Sequence, residues 1–265
     1  MRRTLLFLAF LAAPLFAHPS VSVVFDSKGN LYYSDLHQVL RLAPDGKLSV
    51  AVPGVHAHEL AIDAQDNLYG EHLWYEGEKT DKWGYYVWKR APNGSVSMVI
   101  PRREGFLTNY SFVRDAAGNM YWADRDRGEI RKRAPNGAIT TIAREIRKVR
   151  WMTSSPRGTL FLIDLPDLVR IEPNGRVTRL ARNVSGGMHD VQGLWVDRSE
   201  NVYLADYAHR QVLRVTPQGR VSVIAKSPFL WAPTGGGIAP NGTLWILETR
   251  VGNAVRVRRL GVRRP

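Results

Sequence analysis

The chain contains 265 residues, with a formal net charge of +13, 44% hydrophobic residues and no cysteine. The lack of cysteine excludes disulfide bonds, thiolate catalysis and cysteine-ligated zinc. A strongly basic surface favours acidic partners, although it can also serve solubility alone. Among acidic partners we expect a small anionic ligand or a glycan and no nucleic acid, because the N-terminus predicts export.

The first residues have the pattern of an export signal. Two arginines precede a twelve-residue apolar run from Leu5 to Phe16, and Ala17 completes a small-residue cleavage site. Twelve apolar residues are too few to span a bilayer, which needs about 20. We therefore predict a signal peptide over 1–17, one mature domain over 18–265 without a transmembrane segment, and a secreted or periplasmic location. The alternative is an uncleaved membrane anchor.

One phrase recurs six times: Asp-x-x-x-Asn, then an alternating strand that ends in an acid. Thr replaces the Asn in the two most degenerate copies. The anchors are Asn30, Asn67, Asn119, Thr159, Asn201 and Thr243. A Pro-x-Gly turn follows each of the first five copies, starting at Pro44, Pro92, Pro135, Pro173 and Pro217. Pro presets φ for a tight turn and Gly accepts a positive φ, so each turn joins two antiparallel strands.

Units of about 40 residues with four short strands, repeated six times, indicate a propeller. The predicted fold class is therefore all-β: a six-bladed β-propeller of four-stranded antiparallel blades. The last blade is expected to have three strands, because the chain ends soon after the strand at Ala254. A linear solenoid is the rival fold, but it would need polar capping repeats, which neither end of the chain provides.

The segment Asp115-Ala-Ala-Gly-Asn-Met-Tyr-Trp-Ala-Asp124 closely resembles the repeat of the NHL family, and all six copies fit it loosely. The resemblance implies a propeller whose first strands start at the top face and line a central funnel. Gluconolactonase/regucalcin-like propellers are distantly similar and hold a divalent cation with Glu, Asn and Asp at funnel positions. Those residue types do not stand at the funnel positions here, so the resemblance does not carry that cation site over.

The position nine residues before each anchor is the one that this resemblance places in the funnel. Across the blades these residues are Val21, His58, Tyr110, Arg150, Gln192 and Thr234. Polar groups that converge in a channel suit a polar ligand, and Arg150 indicates an anionic one. The alternative is a water-filled channel lined by satisfied polar residues. All seven histidines map to the same top face, which we interpret as the functional face.

The second blade departs from the repeat. Its interval from Asn67 to Gly94 is about ten residues longer than elsewhere, and the extra residues bring an aromatic-rich loop that we interpret as a lid or binding lip. Five blades end strand two with an acid that we expect to accept backbone N–H groups. The second blade has a histidine there, which we expect not to do so. The predicted ligand-binding residues are His58, Glu71, His72, Trp74, Tyr75, Trp83, Tyr110, Arg150 and Gln192.

The densest histidine cluster is also in the second blade. Residues two apart on a strand face the same way, so His56 and His58 can chelate one ion while His72 approaches from the next strand. This set of ligands suits Zn²⁺ or Cu²⁺. The alternative is three ordinary polar histidines.

Two functions remain open from the sequence. The first is a binding propeller for a small polar or anionic ligand, a glycan or a protein. The second is a metal-assisted lyase or hydrolase, lactonase-like, with its site in the same funnel. Whether the chain is an enzyme is undecided at this point, because no known catalytic set is complete.

Overall fold

The computed structural model describes residues 19–187, 189–250 and 254–261. The predicted signal peptide lies outside the described residues. Twenty-two strands form six antiparallel sheets, and none of the described residues forms a helix long and apolar enough to cross a bilayer. The six sheets are the blades of a propeller, which confirms the predicted all-β class and the number of blades.

The strands follow the chain in order. Blade 1 contains β1 Val24–Phe25, β2 Leu31–Ser34, β3 Gln38–Leu42 and β4 Leu48–Pro53. Blade 2 contains β5 Leu60–Ile62, β6 Leu68–Tyr75, β7 Trp83–Arg90 and β8 Val96–Glu104. Blade 3 contains β9 Met120–Asp124, β10 Glu129–Arg133 and β11 Ile139–Arg144. Blade 4 contains β12 Val149–Ser154, β13 Leu160–Asp164, β14 Asp167–Ile171 and β15 Val177–Ala181. Blade 5 contains β16 Val191–Val196, β17 Val202–Asp206, β18 Gln211–Val215 and β19 Val221–Lys226. Blade 6 contains β20 Trp231–Ile238, β21 Leu244–Arg250 and β22 Ala254–Arg259.

Two blades have three strands. The prediction of a three-stranded last blade is confirmed, since blade 6 ends at β22. Blade 3 also has three strands, because the segment where its innermost strand was expected is irregular. That segment makes only an isolated bridge between Arg114 and Met120.

The recurring Asp-x-x-x-Asn phrase is a structural device. In blade 1, Asp26 Oδ1 accepts the backbone N–H of Asn30 at 2.8 Å, while Oδ2 accepts the Asn30 side-chain amide at 2.7 Å and the Tyr32 hydroxyl at 3.0 Å. Blades 2, 3 and 5 repeat this arrangement. Burial and the neighbouring carboxylate raise the pKa of Tyr32 to about 12. In these four blades the Asp side chain therefore links the end of strand one to the start of strand two.

Blades 4 and 6, which contain the degenerate repeats, lack both the Asp and the Tyr of this arrangement. Blade 4 has Ser155 in place of the Asp, and blade 6 has Ala239. The position of the tyrosine is then Phe161 in blade 4 and Trp245 in blade 6. A buried tyrosine hydroxyl needs a hydrogen-bond partner, so losing the acceptor removes the reason to keep the hydroxyl.

The apolar core lies between the blades. Five clusters of buried side chains fill the interfaces between blades 1 and 2, 3 and 4, 4 and 5, 5 and 6, and 6 and 1. In the part of the chain that the structure describes, no such cluster joins blades 2 and 3. The ring is therefore least filled with apolar side chains at that interface.

Glycines close the ring between the last blade and the first. Ser22 forms a parallel bridge with Gly236. A Cβ on Gly235 would lie 1.8 Å from the carbonyl oxygen of Val21, and a Cβ on Gly237 would lie 2.3 Å from that of Val23. Only glycine permits this approach of two backbones.

We predict that Gly235→Ala destabilises the closed ring. The added methyl group meets backbone, which cannot rotate away, so we expect the free energy of unfolding to fall by about 1–3 kcal/mol or more. Gly261→Ala is the matched control, since no atom lies within 4 Å of that Cβ. Thermal unfolding checks the prediction, and equal melting temperatures for the two variants would contradict it.

Candidate functional site

The irregular inner segment of blade 3 leaves a cavity between blades 2 and 3. Arg114 Nη1 donates to the carbonyl oxygens of Ser111 and Val113 at 2.5 and 3.2 Å, and the Val113 carbonyl also accepts the backbone N–H of Tyr121 in β9 at 3.1 Å. Asn109 adopts a positive φ of 56°, which a regular strand does not allow. The cavity beside this segment has a volume of about 780 Å³.

The cavity gathers nearly all the side chains predicted from the sequence. The predicted residues that line it are His56, His58, Glu71, Trp74, Tyr75, Trp83, Tyr110, Arg150 and Gln192. Additional lining residues that the sequence reasoning did not select include Glu59, Phe106, Leu107 and Trp151. Glu59 follows a funnel histidine directly, and a carboxyl group at the start of an inner strand is the feature that could have marked it. His72 is the one predicted residue that does not line this cavity.

The insertion in blade 2 is a β-hairpin, not a loop. It lengthens β6 and β7 so that Trp74 pairs with Gly84 and Tyr75 pairs with Trp83. Gly84 is required there, because a Cβ would lie 2.0 Å from the indole ring of Trp74. We call this extension, residues 73–84, the aromatic arm. Its structure corrects the expectation of a lid-like loop, because paired strands hold the aromatic side chains in a fixed orientation.

His72 and Glu71 lie on opposite faces of β6. Successive strand residues point to opposite sides, so the two cannot share one site. Glu71 faces the cavity, while the imidazole of His72 stacks on Tyr86 with ring centroids 4.8 Å apart. His72 therefore does not line this cavity, and its role in ligand binding stays a prediction.

His72 also accepts a backbone N–H, although we expected that a histidine at this position would not. Its Nδ1 accepts the backbone N–H of His56 at 3.1 Å. In blade 4, Asp164 Oδ1 accepts the backbone N–H of Lys148 at 2.7 Å, and the two pairs are separated by the same 16 residues. A neutral imidazole can thus replace the periodic acid, and burial and the charge of Arg102 lower its pKa.

This bond also argues against the predicted three-imidazole metal site, which stays a prediction. A neutral imidazole has one acceptor nitrogen, and in His72 the backbone N–H already uses it. Across the residues that the structure describes, no three His, Asp or Glu side chains are arranged to hold a metal ion. His56 and His58 do approach each other, with their Nε2 atoms 3.3 Å apart. Burial, followed by the two neighbouring histidines His58 and His72, lowers the pKa of His56 to about 4.

Two carboxyl groups lie beside this pair. Glu71 Oε1 accepts the backbone N–H groups of His58 at 2.6 Å and of Glu59 at 3.1 Å, and its Oε2 is buried without a hydrogen-bond partner. Glu59 is partly exposed and lines the same cavity. Burial, and then the charge of Glu71, raise the pKa of Glu59 to about 7.

Arg150 supplies the positive charge of the cavity. Its guanidinium lies over the ring of Trp151, with Cζ 4.9 Å from the ring centroid, and its Nε is buried without a partner. Burial, and then the charge of Arg125, lower the pKa of Arg150. The cavity thus combines a cation, two carboxyl groups and an aromatic wall.

Comparisons with known proteins agree on the fold. No model of a known protein family matches the sequence, and no curated protein matches it either. A gluconolactonase from Xanthomonas campestris superposes with a TM-score of 0.62 at 14% identity, covering 92% of this chain and 88% of that chain. A calcium-binding regucalcin from Agrobacterium tumefaciens gives 0.60 at 15%, covering 89% and 83%. The fold is that of these propellers. Virginiamycin B lyase from Staphylococcus aureus gives 0.53 at 12%, covering 93% and 86%.

The raised pKa of Glu59 predicts a pH-dependent stability. Between its ordinary value of 4.5 and about 7, the folded chain keeps a proton that the unfolded chain releases, so the free energy of unfolding falls as pH rises through this window. Glu59→Gln cannot ionise. Relative to this variant, the unsubstituted protein should lose roughly 2–3 kcal/mol between pH 4.5 and pH 8.

Urea denaturation of both proteins at the two pH values measures this difference. Glu78→Gln, at the exposed end of the aromatic arm, is the matched control and should show no such change. A stability difference between the unsubstituted protein and Glu59→Gln that is the same at both pH values would contradict the assignment.

Proposed function

We propose that the chain is an exported propeller that binds a small anionic molecule in the cavity between blades 2 and 3. The observation that carries the proposal is Arg150. Its Nε is buried without a partner, and the only charge that perturbs it is another cation, Arg125. The Arg150 side chain is half-buried, and a guanidinium nitrogen that is buried without a partner costs free energy that a ligand carboxylate or phosphate recovers with charged hydrogen bonds.

The two carboxyl groups of the cavity indicate which further groups the ligand carries. Glu71 Oε2 is a buried acceptor without a donor, which favours a ligand that also carries a hydroxyl group. Glu59 repels an anion only when it is ionised, and its pKa is about 7. A polar hydroxy acid therefore matches the cavity, and its affinity should increase as the pH falls below 7.

We predict that D-gluconate, as a probe with both groups, binds the protein and that Arg150→Gln weakens binding at least about tenfold. Isothermal titration calorimetry at pH 6 and pH 8 measures the affinity, which should be higher at pH 6. Arg220→Gln, on an exposed turn of blade 5, is the control. Equal affinity in Arg150→Gln, or no binding of gluconate, glucuronate or citrate, would overturn the proposal.

A second candidate function is hydrolysis of a lactone by acid–base catalysis. A carboxyl group with a pKa near 7 is matched to proton transfer at neutral pH, and Glu59 has that property. Similar folds include a gluconolactonase and a lyase. The metal-assisted version predicted from the sequence has less support, because the described residues lack a three-ligand group.

We predict that, if this second function is correct, the protein accelerates ring opening of D-glucono-1,5-lactone and Glu59→Gln reduces the rate at least about a hundredfold. Water breaks the ester bond and the acid product releases a proton, so a pH-stat records the reaction. EDTA should leave the rate unchanged. A rate equal to the spontaneous one would reject the enzyme and leave the binding function standing.

A further inference from the structure

The cavity between blades 2 and 3 continues into a second one. This second cavity has a volume of about 880 Å³ and extends along blade 3 towards blade 4. The residues that line both cavities are Glu59, Phe106, Leu107, Tyr110, Arg150 and Trp151. The two cavities therefore form one continuous groove, with the aromatic arm at one end and blades 3 and 4 at the other.

The arm end of the groove is an exposed aromatic surface. Tyr75 and Trp83 lie with ring centroids 4.5 Å apart, and Trp83 and Phe106 lie 5.7 Å apart. Their exposed fractions are 41%, 37% and 64%. Three adjoining aromatic rings exposed beside a polar cavity are typical of a surface that stacks on a flat ligand.

The opposite end of the groove carries cations. The exposed Arg125 lines the second cavity together with Arg150, which also lines the first, and Trp122 Nε1 is a buried donor without a partner. Of the acids nearby, Asp124 is used by Arg127 through a 3.2 Å ion pair, and Asp126 is exposed. Two arginines held close together gain most from an anion that binds both.

We infer that the natural ligand is amphipathic, with a flat apolar ring on Tyr75, Trp83 and Phe106 and an anionic group at Arg125 and Arg150. The charge complementarity of the cationic end selects a free carboxylate, and the aromatic end selects a ring. The inference rests on the proposed binding of a small anion and adds the second half of the molecule. A small polar anion alone would leave the aromatic arm uncovered.

Three probes separate the two ends of the groove in calorimetry. 2-Naphthoate carries the ring and the anion, 2-naphthalenemethanol carries the ring alone, and pivalate carries the anion alone. We expect 2-naphthoate to bind at least about tenfold more tightly than either of the others, since stacking and charged hydrogen bonds are each worth about that much.

Substitutions assign each end of the groove. Trp83→Ala and Phe106→Ala should remove the advantage of naphthoate over pivalate, while Phe229→Ala, which removes a 78% exposed ring on blade 6, should not. Arg125→Gln should remove the advantage of naphthoate over naphthalenemethanol, and Arg220→Gln should not. Circular dichroism confirms that each variant is folded.

The outcomes distinguish this inference from the proposed function. If naphthoate and pivalate bind with equal affinity and Arg150→Gln weakens both, the anion site stands and the ring site is wrong. If naphthoate binds but the arm substitutions have no more effect than Phe229→Ala, the ring lies elsewhere and the inference is also wrong. If neither naphthoate nor pivalate binds but gluconate does, this inference is wrong and the proposed function stands; if gluconate also fails to bind, both are wrong.

Discussion

The propeller depends on the approach of backbone to backbone around its axis. At the closure between the last and first blades, Gly235 and Gly237 lie so close to the carbonyl oxygens of Val21 and Val23 that no side chain fits. Gly193 makes a similar approach to Thr234 between blades 5 and 6. Because these contacts fix the inner strands, side chains from widely separated repeats converge on one channel. The site exists only as long as the ring is closed.

The interface between blades 2 and 3 contains a cavity in place of a cluster of packed apolar side chains. Every other interface is filled by a cluster of buried apolar side chains, and here the described residues form none. The irregular segment at 105–115 replaces an inner strand, and Arg114 binds its carbonyl groups. Closed rings tolerate such an interface because the neighbouring blades hold it in place. This is the physical setting in which a ligand can contribute contacts that the chain itself omits.

The charge of the cavity depends on the protonation of the acidic and basic side chains that line it. Glu71 is held by two backbone N–H groups, and Glu59 keeps its proton up to a pH of about 7. His56 stays neutral down to a pH of about 4. At pH values between about 4 and about 7, Glu59 and His56 therefore add little charge beside Arg150. These two groups make the charge of the cavity depend on the pH.

The sequence by itself determined the fold class, the six blades and their boundaries, because the repeat is local: each Asp-x-x-x-Asn phrase and Pro-x-Gly turn fixes its own hairpin. It also placed nearly all of the predicted ligand-binding residues near one another, since the repeat assigns four of them to funnel positions and the others to the top-face end of blade 2. Only the tertiary structure decided which way a side chain points. It placed His72 and Glu71 on opposite faces of β6 and used the Nδ1 atom of His72 to accept a backbone N–H. The tertiary structure also raised the pKa of Glu59 and placed the aromatic arm and Arg150 on one cavity. Burial and proximity of this kind arise only when separate blades meet.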